Sequence, residues 1–261
     1  MEDQGSSTKL LEALRSAFRR TPMGRMRSES HLRRLFPEAS EADLTILSKC
    51  KPYTMTTWER LWAVVQSVRY VHARGVAGAF VECGVWRGGS SMAAAMAFLA
   101  VDDRRRMWLY DTFEGMNKPA RQDIRIGTGE SAMVKWLATK TGDDSSTWCL
   151  ASRDDVLANL AGTGYPERLI RTIQGKVEDT LLVPANLPDQ ISILRLDTDW
   201  YESTKIELEV LFDRLADGGV LIIDDYGWWA GVKKAVDEFL VSRPAYLMNR
   251  IDNEGRILIK N

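Results

Sequence analysis

The chain has 261 residues, enough for one large domain or two small ones with a substantial core. Its 35 Lys+Arg against 36 Asp+Glu leave a formal net charge of −1, which excludes the global basic signature of a nucleic-acid surface. No stretch reaches the ~20 apolar residues of a membrane span, the N-terminus lacks a signal-type apolar core, and Cys50, Cys83 and Cys149 form no CxxC pair, so a soluble cytoplasmic protein without a zinc site is expected.

Residues 1–60 are arginine-rich and helical in places, with Pro22, Pro37 and Pro52 as punctuation. They read as a helical extension appended to a domain over 61–261. Leu10, Leu11, Leu14 and Phe18 recur at helical spacing. Such a stripe must be buried, either on its own core or against a second subunit, and the expectation is a homo-oligomer.

From about residue 80, β-rich runs alternate with helical patterns. Strands are expected at Ala79–Cys83, Met107–Tyr110, Ile170–Gln174, Ile191–Leu196, Val220–Ile223, Tyr246–Ile251 and Arg256–Ile259. Helices fit at Ser90–Ala100, Arg153–Ala161, Ser203–Leu215 and Gly231–Val241. For the third of these, Ser203 serves as cap, Ile206, Leu208, Leu211, Phe212 and Leu215 as apolar stripe, and Gly218-Gly219 as stop. The alternation means βαβ units, hence an α/β fold with a mostly parallel sheet covered on both faces. Only Asp252–Gly255 joins the last two strands, a hairpin length, so one of them runs antiparallel. Residues 116–148 form a long polar connection, of the kind that is usually a lid or disordered, and a lid is expected.

Two stretches carry the chemistry. In Phe80-Val81-Glu82-Cys83-Gly84-Val85-Trp86-Arg87-Gly88-Gly89-Ser90-Ser91 an apolar run breaks into a glycine turn and then an Ala-rich helix. Such a turn lets a ligand approach bare backbone and leaves the first helical amides free to bind it. The pattern matches neither GxGxxG nor a P-loop. Asp111 ends the next strand, where an acid can accept hydrogen bonds from a ribose diol, the arrangement of an adenosyl-ligand site.

The second stretch is a set of acids. Asp197 and Asp199 close one apolar run, and Asp224 and Asp225 close the next. Carboxylates at the same edge of a parallel sheet can converge on a hard divalent cation, and four of them without a cation would cost several kcal/mol in a partly dry cleft. The alternative is a set of solvated turn acids. His31 and His72 lie outside both stretches, so any general base here is a carboxylate. Trp200, Trp228 and Trp229 sit beside the acids and could wall a sugar or aromatic substrate.

At these residues the chain resembles the class I S-adenosylmethionine-dependent methyltransferases, and within them the macrocin O-methyltransferase family, which methylates sugar hydroxyls on antibiotics and related natural products. The segments that carry the resemblance are VECGVWRGGSS, LYDTFEGM, LRLDTDWYEST and GGVLIIDDYG, within about residues 50–245. The resemblance implies a Rossmann-like, seven-stranded sheet with one antiparallel strand, S-adenosylmethionine as donor with S-adenosylhomocysteine as product, and Mg²⁺. By the same resemblance Glu82, Gly84 and Ser90 contact the methionine side of the cofactor and Asp111 its ribose. Tyr53 and Thr54 match a segment that folds over it, and Ser152 and Lys176 lie near its adenine end. Asp197, Asp224 and Asp225 correspond to metal ligands and Asp199 to the base, with Glu202 a second candidate for the proton. The acceptor is then a glycosylated natural product of antibiotic biosynthesis. Two rival readings stand beside it: a catechol-type O-methyltransferase acting on an aromatic diol, and a non-catalytic S-adenosylmethionine-binding scaffold, against which the retention of four acids argues.

Overall fold

The structure, a computed structural model, describes residues 30–261. The stripe Leu10, Leu11, Leu14 and Phe18 lies outside the described residues. The chain divides into two compact units between Ile46 and Leu47. In the first, Ser40 opens helix α1 (Glu41–Cys50), its amide donating to Asp43 Oδ2 at 2.9 Å while Asp43 N donates back to Ser40 Oγ at 3.3 Å. This reciprocal pairing satisfies two amides that a helix start leaves unpartnered.

The second unit is built from α2 (Trp58–Ala73), β1 (Ala79–Cys83), α3 (Gly89–Ala100), β2 (Met107–Asp111), α4 (Ala132–Thr139), α5 (Arg153–Ala161), β3 (Ile170–Gln174), the single-turn α6 (Val177–Thr180), β4 (Ile191–Leu196), α7 (Tyr201–Leu211), β5 (Leu215–Ile223), α8 (Ala230–Val241), β6 (Asn249–Arg250) and β7 (Arg256–Ile259). The sheet order is β3-β2-β1-β4-β5-β7-β6. The first five strands are parallel, and β7 runs antiparallel to both its neighbours. This is the expected seven-stranded Rossmann-like sheet, with β7 as the reversed strand.

Strand alternation divides the core between two faces. Ala79, Val81 and Cys83 of β1, with Leu194, Leu196, Leu221 and Ile223, pack against Leu208 and Leu211 of α7 and Val232 and Val236 of α8. Phe80, Leu109, Ile193 and Ile222 point the other way and are wholly buried. Helix α2, capped by Thr57 accepting from Arg60 N at 3.2 Å, packs against α3 and against β4 and β5. Both faces of β1 and β4 are buried, which is why these strands read as continuous apolar runs. From β1 the chain proceeds outward to β2 and β3 on one side, and from β4 to β5 on the other. Connections therefore diverge between β1 and β4, which opens a crevice at their C-terminal ends.

The structure departs from the expected elements in three places. Helix α7 starts at Tyr201 and ends at Leu211, followed by the 3₁₀ turn Phe212–Arg214. Ser203 lies inside it, buried, rather than capping it, and Leu215 and Gly218-Gly219 belong to β5. The physical reason is that Leu215 pairs with Ile191 of β4, so the sheet claims an apolar residue that helical spacing had assigned to the stripe. Second, β6 keeps only Asn249–Arg250 of the expected Tyr246–Ile251. Tyr246 instead stacks edge-on against Phe212 at 5.6 Å. Third, residues 116–148 contain α4, and Trp136 in it is buried, with Nε1 donating to Met116 O at 3.1 Å. Among the described residues no helix is long and apolar enough to cross a membrane.

Candidate active site

The crevice is a cavity of about 360 Å³ that takes residues from the ends of β1, β2, β4 and β5, from the segment Thr54–Thr56 before α2, and from both ends of the 116–148 insertion. Its two halves touch through the backbone. Gly84 follows β1 with φ 82°, and a Cβ there would stand 2.0 Å from Asp197 O. Asp197 N donates to Cys83 O at 2.8 Å. Only a residue without a side chain lets the glycine turn pass this close to the β4 acids.

Asp111, at the end of β2, organises that turn. Its Oδ2 accepts from Val85 N at 2.7 Å and Trp86 N at 3.0 Å, and its Oδ1 from Phe113 N at 2.8 Å. Burial pushes its carboxyl up, and these amide bonds work against the shift. Thus the acid read as a ribose ligand lines the pocket, but most of its acceptor capacity is committed to holding Trp86 in its left-handed turn at φ 46°.

Beneath the cavity floor runs a buried polar network on the α2/α3 side of the sheet. Arg195, wholly buried in β4, donates through Nη1 to Glu82 Oε1 at 2.6 Å and Asp197 Oδ2 at 2.7 Å, and through Nη2 to Asp224 Oδ1 at 2.6 Å. Arg60 of α2 reaches Asp224 Oδ2 at 2.5 Å and Asp252 Oδ2 at 3.0 Å. Ser91 closes the network with a hydrogen bond to Glu82. For Arg60 burial disfavours the charge, but Asp224, Asp225 and Asp252 outweigh it and raise its pKa. Each member is a charge that a dry interior tolerates only when paired.

Above this network, ligand oxygens of Asp197, Asp199 and Asp225 lie within 4.8 Å of one another, the one such group of three among the described residues. Burial lifts Asp199 to about 7, opposed by a hydrogen bond shared with Asp225 and reinforced by the charges of Asp197 and Asp224. Burial likewise raises Asp197 and Asp225 well above the usual carboxylate range; Arg195 opposes the shift at Asp197, and Asp199 adds to it at Asp225. Three hard oxygen donors whose burial and crowding favour protonation fit a divalent cation, which would displace those protons.

The expected site residues divide accordingly. Glu82, Gly84, Ser90, Asp111, Lys176, Thr54, Asp197, Asp199, Asp224 and Asp225 all line the cavity. Asp224, expected as a metal ligand, is 3 % exposed and gripped by both arginines, while Asp199, expected only as the base, joins the converging trio. Glu82, expected at the cofactor, is committed to Arg195 and Ser91. Tyr53, Ser152 and Glu202 do not line the cavity. Tyr53 lies under the Arg87 guanidinium at 5.1 Å, Ser152 caps α5 by accepting from Asp155 N at 3.2 Å, and Glu202 is exposed in the first turn of α7.

Residues missed in the sequence include Arg60, Arg195, Glu178 and the insertion's Lys135 and Trp148, all lining the cavity. Arg195 left a signal, since a charge inside the apolar run Ile191–Leu196 requires a buried counter-ion. Arg60 left none, because it lies on an ordinary helical pattern. Lys176 pairs with Asp144 of the insertion, and Trp148 meets Trp200 at 5.6 Å and Trp229 at 6.2 Å, forming an aromatic wall beside the acids.

Comparison with known proteins identifies the family. Residues 38–258 match the family model of macrocin O-methyltransferase (TylF). The chain is 35% identical over 190 residues to an 8-demethyl-8-(2,3-dimethoxy-alpha-L-rhamnosyl)-tetracenomycin-C 4'-O-methyltransferase of Streptomyces olivaceus, covering 71% of this chain and 68% of that protein. It is 31% identical over 188 residues to the demethyldecarbamoylnovobiocin O-methyltransferase of Streptomyces niveus, covering 72% and 67%. Among solved structures, the O-methyltransferase NovP superposes with a TM-score of 0.68 at 30% identity, over 80% of this chain and 82% of that one. An O-methyltransferase of Bacillus cereus in complex with SAH shares the fold at a TM-score of 0.51 and 10% identity. With a glycine turn and an acid cluster meeting at the switch point of this sheet, and with the family model spanning nearly the whole described chain, the protein is an O-methyltransferase of the macrocin O-methyltransferase family.

Proposed function

We propose that the protein transfers the methyl group of S-adenosylmethionine to a sugar hydroxyl of a glycosylated natural product in antibiotic biosynthesis, with Mg²⁺ in the acid cluster. The observation that carries this reading is the meeting of the Gly84 turn with Asp197, Asp199 and Asp225 in one cavity. The relative named for a rhamnosyl-tetracenomycin supports a sugar-bearing acceptor, and the one named for demethyldecarbamoylnovobiocin supports a natural-product acceptor. The aromatic-diol reading has no observation of its own in its favour, since Trp200 is a core residue that does not line the cavity and Trp229 belongs to the core as much as to the pocket wall.

In this reading the glycine turn and the first amides of α3 receive the amino-acid end of the donor, and Lys176 and Glu178, which line the cavity after β3, receive its adenine end. Asp197 and Asp225 would hold Mg²⁺, consistent with an ion that takes one or two carboxylates and otherwise keeps water or substrate oxygens. When bound, it makes a coordinated hydroxyl easier to ionise. Asp224, pinned by Arg60 and Arg195, adds negative charge behind the ligands without leaving its ion pairs. Asp199, whose carboxylate oxygen lies within 4.8 Å of those of Asp197 and Asp225, takes the acceptor proton. Trp148, Trp228 and Trp229 give the sugar flat apolar surfaces, and the insertion excludes water from the transfer. The N-terminal segment supplies a subunit contact, and sedimentation of a variant lacking residues 1–20 checks that.

The test is S-adenosylhomocysteine formation with a panel of rhamnosylated and other glycosylated aromatic natural products, with and without EDTA. The expected result is stoichiometric methylation of one sugar hydroxyl, abolished by EDTA and restored by Mg²⁺. Full rate after EDTA treatment would remove the ion from the reading, and transfer to free catechols but not to glycosides would replace the acceptor class.

A further inference from the structure

Asp123 is the one charged residue of the 116–148 insertion that is completely buried, at 0 % exposure, yet it does not line the cavity. Its carboxylate is committed to two backbone amides. Oδ2 accepts from Ala120 N at 2.7 Å, a local turn. Oδ1 accepts from Tyr201 N at 2.9 Å, a residue 78 positions further along the chain. Tyr201 opens α7, and Trp200 before it makes no side-chain cap. A helix start leaves its first amides without partners, and here the insertion supplies the acceptor that the local sequence does not.

What lies next to this bond makes it more than a cap. Two residues before Tyr201 is Asp199, at φ 72°, in the left-handed region that residues with side chains seldom adopt and that Asp enters at less cost than most. A third element closes on the same carboxylate: a Cβ at Gly231, in the first turn of α8, would stand 2.0 Å from Asp123 Oδ1 and 3.2 Å from Tyr201 Cβ. Two strand-like bonds hold the insertion in place there, Ile126 N to Trp228 O at 2.8 Å and Ala230 N to Ile124 O at 2.9 Å. The insertion, the start of α7 and the start of α8 thus meet at one buried oxygen.

We infer that Asp123 is a positioning residue for methyl transfer: by capping α7 from the insertion, it holds the Asp199 turn in its left-handed geometry beside Asp197 and Asp225. The inference rests on the reading of Asp199 as the base. It makes the seating of the insertion and the aim of the base a single event, because the residue that buries the one fixes the other. Without the carboxylate, Tyr201 N is buried with no acceptor, and the Asp199 turn loses the contact that opposes its relaxation.

The experiment compares full-length wild type with Asp123→Ala and Asp123→Asn by amide hydrogen exchange, S-adenosylmethionine calorimetry and steady-state kinetics. In Asp123→Ala, exchange across residues 199–202 should rise about tenfold or more, the scale of one lost hydrogen bond to a charged acceptor, while α3 is unchanged. The kcat should fall about ten- to a hundredfold, as for a displaced catalytic group, with donor affinity retained. Asp123→Asn keeps one carbonyl oxygen for Tyr201 N and should recover part of both losses. Unchanged exchange over 199–202 overturns the inference, and so does a kcat loss matched by an equal loss of donor affinity, the mark of general damage. If the alanine variant does not fold, the asparagine variant decides by the same readouts. A wild type that methylates no glycoside defeats the proposed function instead, and the exchange result then stands alone for or against the cap.

Discussion

On the β2 side of the cleft, Asp111 receives amides from Val85, Trp86 and Phe113, so its charge is answered by backbone a few residues away or at the next strand end. On the β4–β5 side, two arginines serve Glu82, Asp197, Asp224, Asp252 and Glu254, and Asp225 comes no closer than 4.0 Å to Arg60. Asp199 and Asp225 are left with each other. The first half is complete as folded; the second has more carboxyl groups than cationic partners. An anion answered by fixed amides costs no reorganisation when a ligand arrives, whereas crowded, buried carboxyls favour protons that a cation would displace. In the proposed reading the contrast gives rigidity to the donor half and ion dependence to the acceptor half.

The largest expected effect breaks the acid half alone. Asp199→Asn should lower single-turnover methyl transfer by about 10²–10⁴ while leaving donor affinity in calorimetry unchanged. Equal loss in both would mean that the two halves are not separable. Next comes the floor they share. Arg195→Met leaves Glu82, Asp197 and Asp224 short of a partner in the interior and should cost about 3–5 kcal/mol in urea denaturation. A smaller figure would show that Arg60 alone carries the network.

On the donor side, Asp111→Ala should weaken S-adenosylmethionine binding by about 1.5–3 kcal/mol, through collapse of the turn at Trp86 as well as loss of any direct contact. Calorimetry on Asp111→Asn sharpens the point, since one remaining carbonyl oxygen should retain part of the affinity if the turn is what matters.

The smallest effect concerns pH. Glu207 of α7 is buried at 0 % exposure, receives Thr198 Oγ1 at 2.8 Å, and has its pKa raised well above normal by burial. A raised folded-state pKa gives stability that is present below the unfolded value of about 4.3 and is lost as pH rises through the folded value. Urea melts should therefore show Glu207→Gln gaining on wild type as pH rises above about 4.3. A difference between the two that stays constant with pH would mean Glu207 does not titrate with folding.

Much of this was legible in the chain, for reasons that differ by element. Ala79–Cys83, Ile170–Gln174, Ile191–Leu196 and Arg256–Ile259 are read at their observed bounds, because each apolar run ends at a turn residue or a polar residue. The hairpin Asp252–Gly255 forces one reversed strand by length alone. Leu215 was misassigned because period and hydrophobicity do not say whether a helix or a neighbouring strand claims an apolar residue at a boundary. The 116–148 insertion reads as polar and open, yet Trp136 and Asp123 anchor it from within.

The acids show the same division at the site. Their placement at strand ends follows from the sequence, since parallel strands present their C-terminal ends together, and the pairing of a glycine turn with an acid cluster already points to a cofactor and a cation. The direction in which each carboxylate turns does not follow. Asp224 and Asp225 are adjacent, but one faces Arg60 and Arg195 and the other faces Asp199. That choice is made by Arg60, 164 residues before Asp224, and the Asp199 turn is held from Asp123, 78 residues before Tyr201. Local pattern determines which residue types stand at an edge, because it acts over a few residues through backbone geometry. Which charge answers which is decided only when packing brings distant elements into contact, because electrostatic partners are chosen by distance in space and not along the chain.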